Sequence, residues 1–105
     1  MNSPNIGSNE IEGISQFLKI MSGQSRLAIL FALKQEGEMN VTQIADRLYM
    51  EQSAVSHQLK LLKDVRLIRD RQEGKQRFYS LNDKHVFNIL RQVAEHIQEE
   101  DTVTD

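Results

Sequence analysis

Two of the chain's three histidines lie near its end, each with a carboxylate close by: Asp83-x-His85 and, ten residues on, His96-x-x-Glu99. Imidazole nitrogen and carboxylate oxygen are the donors a borderline divalent cation takes when no thiolate is offered, and the chain contains no cysteine. His96 and Glu99 are spaced i, i+3, so on a helix they project from one face and can share an ion. Asp83 and His85 fall where a helix begins, and there a capping carboxylate and the next imidazole but one can converge. The two pairs cannot close on each other within one helix. His85 and His96 are 11 residues apart, about 16 Å along a helix axis, against ligand bonds of about 2 Å. Eleven residues is nevertheless close to three full turns, so both histidines face the same way. Antiparallel pairing with a second copy of the helix would bring Asp83 and His85 of one protomer to His96 and Glu99 of the other, and a two-fold axis would make two identical sites. Two imidazoles and two carboxylates give the four ligands of tetrahedral zinc, with cobalt nearly as suitable. On spacing alone, the same four residues equally suit the exposed polar face of a terminal helix.

A second chemistry lies in the middle of the chain. The net charge of −2 is unevenly spread: residues 1–56 balance at −2, residues 57–79 at +4 and residues 80–105 at −4. A basic centre between acidic flanks permits a local phosphate-binding surface on an acidic protein, or simply a solvated basic face. The cations of that block are Lys60, Lys63, Arg66, Arg69, Arg71, Lys75 and Arg77.

These groups need elements to hold them. Ile11, Ile14, Leu18 and Met21 recur at three or four residues and predict a first amphipathic helix ended by Ser22-Gly23. The apolar run Leu27 to Leu33 predicts a second, buried helix reaching about Gly37. Asn40 is placed to cap a short third helix with Val41, Ile44, Ala45 and Leu48 inward. A fourth helix from Gln52 turns Val55, Leu59, Leu62 and Val65 inward and Ser53, Ser56, His57, Lys60 and Lys63 outward. Short β-prone runs, Leu67 to Arg71 and Gln76 to Leu81, flank Glu73-Gly74-Lys75 and predict a two-stranded hairpin. A last helix starts at Asn82 or Asp83 and carries Val86, Leu90, Val93 and Ile97 to about Glu100. The polar ends, residues 1–9 and 101–105, read as flexible tails around one domain of residues 10–100. The fold class is mainly α (α+β), five helices with a hairpin.

Two short helices joined by a tight turn, the second basic on one side and followed by a basic hairpin, describe a winged helix-turn-helix. Gln52, Ser53, Ser56 and His57 can place short donors and acceptors at base edges of double-stranded DNA, while Lys60, Lys63, Arg69, Arg71, Lys75 and Arg77 can neutralise phosphates. His57 is read as a DNA contact or packing residue, not a metal ligand, and Phe78 and Tyr79 as packing residues.

The stretch Ser53-Ala54-Val55-Ser56-His57-Gln58-Leu59-Lys60-Leu61-Leu62-Lys63 resembles the recognition helix of the ArsR/SmtB family of bacterial metal-responsive repressors. Arg26-Leu27-Ala28-Ile29-Leu30 is similar to that family's second helix, and Gly74-Lys75-Gln76-Arg77-Phe78-Tyr79-Ser80-Leu81 to its wing. The likeness covers about residues 11 to 100, with one departure: Ser22-Gly23-Gln24-Ser25 stands where the family often has an acidic residue. The resemblance implies a homodimer built on the first and last helices that binds an inverted-repeat operator. It also implies that Asp83, His85, His96 and Glu99 form the interhelical Zn(II) site of the zinc- and cobalt-sensing branch, two sites per dimer. Zinc would then release the apo repressor from DNA, with His96 passing a hydrogen bond toward the Arg66 carbonyl, and the regulated genes would be those of metal efflux. A repressor answering to cobalt, nickel or a non-metal signal is the alternative within the family. The family's Cys-x-Cys site would fall near Asn40-Val41-Thr42 and is absent.

The remaining function classes are set aside on composition. Four saturating ligands leave no open position for a reacting water, so a zinc hydrolase, or any enzyme, is not expected. No apolar run approaches the roughly 18 residues of a membrane span, and the polar start lacks the regions of a signal peptide, so the expectation is a cytoplasmic protein without membrane partner or organic cofactor.

Overall fold

The computed structural model describes residues 5–102. The order is α1 (Ser8–Met21), α2 (Gln24–Glu36), β1 (Met39–Asn40), α3 (Val41–Leu48), α4 (Gln52–Asp64), β2 (Ile68–Glu73), β3 (Gln76–Leu81) and α5 (Lys84–Thr102). All five expected helices and the hairpin are present. Helix α1 begins at Ser8 and α5 runs through Thr102, so each helix reaches two residues into a stretch expected as a tail. Residues 1–4 and 103–105 of those stretches lie outside the described residues.

The sheet has three strands, not two, in the order β1-β3-β2, all antiparallel. Met39 pairs with Tyr79 and Asn40 with Phe78. A two-residue strand leaves no alternating run to read, and Asn40 carries a second assignment that masks it. Its side chain accepts from the Gln43 N–H at 2.8 Å while Gln43 Oε1 accepts from the Asn40 N–H at 2.8 Å, a reciprocal cap on α3. Asn40 Nδ2 also donates to Gln76 Oε1 at 3.1 Å, tying the cap to the hairpin.

The core is formed where the predicted apolar faces meet. Ile29, Leu30 and Leu33 of α2, Ile44 of α3, Val55, Leu59 and Leu62 of α4, Leu67, Ile68 of β2 and Leu90 of α5 are essentially without solvent contact. The helix α4 ends by a hydrogen-bonded reversal: Arg66 sits at φ 61, its N–H bonds the Lys63 carbonyl at 3.0 Å, and the Leu67 N–H bonds the Leu62 carbonyl at 2.9 Å. This left-handed cap turns the chain into β2 and buries Leu67 against the helix it has just left. Gly74 turns the hairpin at φ 61, a backbone region glycine enters at no steric cost.

The stripes of α1 and α5 are only half covered. Met21, Val86 and Leu90 are buried, but Ile11, Ile14, Leu18, Val93 and Ile97 remain about half exposed. Leu18, Leu27, Phe31, Val93 and Ile97 border an apolar groove between α1, α2 and α5.

Candidate nucleic-acid interface and metal centre

Helices α3 and α4 are joined by Tyr49, Met50 and Glu51. The turn is tight because Tyr49 adopts a left-handed conformation (φ 56, ψ 45) and the Met50 N–H returns to the Ala45 carbonyl at 3.0 Å. Val55, Leu59 and Leu62 pin one side of α4 to the core, which leaves Gln52, Ser53, Ser56, His57, Lys60 and Lys63 on its exposed side, as their spacing predicts. Gln52 is also fastened to the preceding helix, its Nε2 donating to Thr42 Oγ1 at 3.3 Å.

The strand pleat divides the wing cations between two faces. Asp70 pairs with Tyr79 and Gln72 with Arg77, so Asp70 and Arg77 share the face turned to α4, where Lys63 reaches Asp70. Arg69 and Arg71 project from the other face, and Lys75 stands at the hairpin tip. Arg71 bridges Glu38 in a two-pronged pair (Nε to Oε2 at 2.7 Å, Nη2 to Oε1 at 2.9 Å), also reaches Glu73 at 2.6 Å, and lies over the Phe78 ring. The bond from Arg71 holds the Glu38 carboxyl below the usual carboxylate range. Bonds from Lys63 and then Arg77 do the same for Asp70. Of the expected phosphate contacts, Lys63, Arg71 and Arg77 are thus already engaged by carboxylates, whereas Lys60, Arg69 and Lys75 make no ion pair among the described residues.

The positions of the basic residues along the chain carry no trace of these carboxylate partners. The usable signal for Asp70 was its place two residues after the inward-facing Ile68 on a strand, which puts a charge on the helix-facing side. Arg26 gave less warning. Its guanidinium is partly buried where α1 gives way to α2, with Nε donating to the Ile20 carbonyl at 2.5 Å and Nη1 to Gln58 Oε1 of α4 at 2.9 Å. Gly23 caps α2 without a side-chain bond, and Arg26 bridges the turn instead.

The four candidate metal ligands are all exposed and all belong to α5 or its cap. Asp83 is the residue before the helix and its Oδ1 accepts from the Val86 N–H at 3.1 Å. That bond, the nearby His85 imidazole and the Asn82 amide hold the Asp83 carboxyl below its ordinary value, in the ionised form a cation requires. His85 Nδ1 lies 3.6 Å from Asp83 Oδ1, so the helix start does bring these two donors together. His96 and Glu99 lie three residues apart on the same unbroken helix. Among the described residues of one chain, no three histidine or carboxylate side chains converge, in keeping with the 11 residues that separate the pairs. The donor set therefore fits a divalent ion only if two copies of α5 contribute.

The sequence profile of the ArsR family of bacterial regulatory proteins matches residues 23–70. A transcriptional repressor SmtB homolog from Synechocystis is 38% identical over 93 residues, covering 89% of this chain and 70% of the relative. A cadmium resistance transcriptional regulatory protein CadC homolog from Staphylococcus aureus is 33% identical over 86 residues, covering 82% and 71%. Among solved structures, the homodimeric winged helix-turn-helix DNA-binding domain of Mb0332 from Mycobacterium bovis superposes with a TM-score of 0.83 at 25% identity, covering 94% of this chain and 91% of that one. These relatives are transcriptional regulators, not enzymes.

Proposed function

The chain belongs to the ArsR family of bacterial regulatory proteins, and from that premise we propose that it is a zinc-responsive transcriptional repressor that holds operator DNA as a homodimer and lets go when zinc binds between its protomers. The observation that carries the metal reading is α5 itself. One continuous helix from Lys84 to Thr102 holds Asp83-x-His85 at its start and His96-x-x-Glu99 three turns on, beside an apolar stripe that a single chain leaves half exposed at Val93 and Ile97.

Dimerisation through α1 and α5 would cover that stripe, and the Mycobacterium bovis domain of the same fold is homodimeric. The shape of the chain agrees. Its radius of gyration is 15.7 Å, against about 13 Å for a compact domain of this length, and the apolar surface left uncovered lies on α1 and α5. Antiparallel α5 helices would set the Asp83 and His85 donors of one protomer against the His96 and Glu99 donors of its partner. A bound divalent ion would supply a cross-link there, favouring one arrangement of the protomers over the other. For release of DNA, that arrangement must be the one in which the two recognition helices miss the spacing of successive major grooves, about 34 Å. A ligand binding both arrangements equally would shift nothing.

In the DNA-bound arrangement, Ser53, Ser56, His57 and Gln52 at the start of α4 would read base edges, and Lys60, Lys63, Arg69, Arg71, Lys75 and Arg77 would meet phosphates or the flanking backbone. The Arg66 carbonyl, at the left-handed end of α4, would take a hydrogen bond from His96 and link the metal centre to the recognition helix. The test is a fluorescence-anisotropy titration of the full chain onto its own upstream promoter duplex, at fixed salt, with chelator and with zinc. Zinc is expected to weaken binding by about tenfold or more, about 1.4 kcal/mol of coupling. Unchanged affinity overturns zinc sensing while leaving the DNA-binding assignment standing.

A further inference from the structure

The recognition helix and the wing each deliver a cation to one carboxylate oxygen. Asp70 Oδ2 accepts from Lys63 Nζ at 2.9 Å and from Arg77 Nη1 at 2.7 Å. The Asp70 side chain is only 12% exposed, against 50% for Lys63 and 48% for Arg77, so the anion lies at the bottom of the crevice and the two cations stand over it. Ser56, Lys60 and Tyr79 complete the walls. The arrangement follows from register: Asp70 faces Tyr79 and Gln72 faces Arg77, which makes Asp70 and Arg77 diagonal neighbours on the pleat, within reach of each other and of α4.

A carboxylate that binds an ammonium and a guanidinium offers those groups the same charge-assisted bonds a phosphate oxygen does. We propose that Asp70 stands in for a DNA phosphate in the free protein, so that Lys63 and Arg77 engage DNA only by exchanging its carboxylate for the nucleic-acid backbone. The exchange lowers the attraction of this face for any duplex, because one negative charge sits beneath two positive ones. The bonds exchanged are those of Lys63 and Arg77 and include none from the base-reading side chains at the start of α4. Since sequence-independent binding is almost wholly electrostatic, the effect of such a built-in repulsive element falls on non-specific DNA first and raises the ratio of operator to non-operator affinity. Lys60, in the same crevice but without an ion pair, is exempt and supplies an internal comparison. The inference rests on the reading of α4 and the wing as the DNA-facing surface.

The experiment compares the full-length wild type with Asp70→Asn by anisotropy, in chelator, on the promoter duplex and on a mixed-sequence duplex of equal length across a salt series. Asp70→Asn is expected to bind the mixed-sequence duplex at least about threefold tighter at low salt. Its plot of log affinity against log salt should be steeper by about one to two phosphate contacts, each worth about 0.9 in slope. The gain on the promoter should be smaller. Equal or weaker non-specific binding with an unchanged slope overturns the proposal. If Asp70→Asn fails a thermal-melting check of its fold, Lys60→Gln and Lys63→Gln decide instead. Lys60→Gln should lose at least about threefold more affinity than Lys63→Gln, and equal losses overturn the proposal. A wild type that binds neither duplex overturns the DNA-binding reading itself, whereas a wild type that binds with Asp70→Asn unaltered overturns this inference alone.

Discussion

At the scale of single residues, the functional weight rests on a few side chains whose roles separate cleanly by experiment. His96 would bind metal but touch no DNA, so His96→Ala should keep the chelator-state affinity of the wild type within about twofold and lose the zinc-induced release, as the same anisotropy titration would show. A His96→Ala protein that still dissociates with zinc removes the residue from the site. Asp70 carries a second expectation. The bonds from Lys63 and Arg77 depress its folded-state pKa, so its contribution to stability is present above the unfolded value of about 3.9 and is lost as the pH falls through the folded value. The wild type should therefore surrender its stability advantage over Asp70→Asn as the pH drops below about 4, measured as converging melting temperatures. The advantage itself will be modest, because Lys63 and Arg77 are half exposed and water screens them.

At the scale of elements, local rules placed nearly everything. Asn40 illustrates how well a cap can be read: a short polar side chain ahead of an apolar-periodic run, with Gln43 three residues later, is a start signal, and the reciprocal bonds are there. Asn40→Ala should cost about 1 kcal/mol in urea unfolding, without a change in the slope of the transition. A cost near zero would mean that pairing of Met39 and Asn40 with β3 holds this junction without the cap. That pairing was not legible. Two residues cannot display a period of two, and their partners Tyr79 and Phe78 lie some forty positions on, so only the folded sheet brings them together. The left-handed Arg66 and Tyr49 were hidden for a related reason: neither is glycine or asparagine, and both are held in that region by the elements on either side.

At the scale of the whole molecule, one chain leaves apolar surface on α1 and α5 uncovered. Ile11, Ile14, Leu18, Val93 and Ile97 form the outer parts of helical stripes whose inner parts, Met21, Val86 and Leu90, are buried. Exposed apolar area of this kind marks an interface. Because Ile97 is 54% exposed, Ile97→Glu should leave the chain folded by circular dichroism but shift sedimentation from dimer to monomer. DNA affinity should fall with it by about tenfold or more, since a monomer reaches only one half-site. A dimer that survives Ile97→Glu would place the interface elsewhere.

Local sequence is enough to place the five helices, the hairpin, the polar and basic side of α4, and Asp83, His85, His96 and Glu99 on α5 and its cap. All of these depend on periods of 3.6 and 2, on caps and on turn residues, which act over a few neighbouring positions. Tertiary structure alone decided which cations are already held. Asp70 meets Lys63 and Arg77, Glu38 meets Arg71, and Arg26 meets Gln58, across separations of 7 to 33 residues. Electrostatic partnership depends on distance in space, and a charge counted along the chain carries no record of the carboxylate that packing brings beneath it.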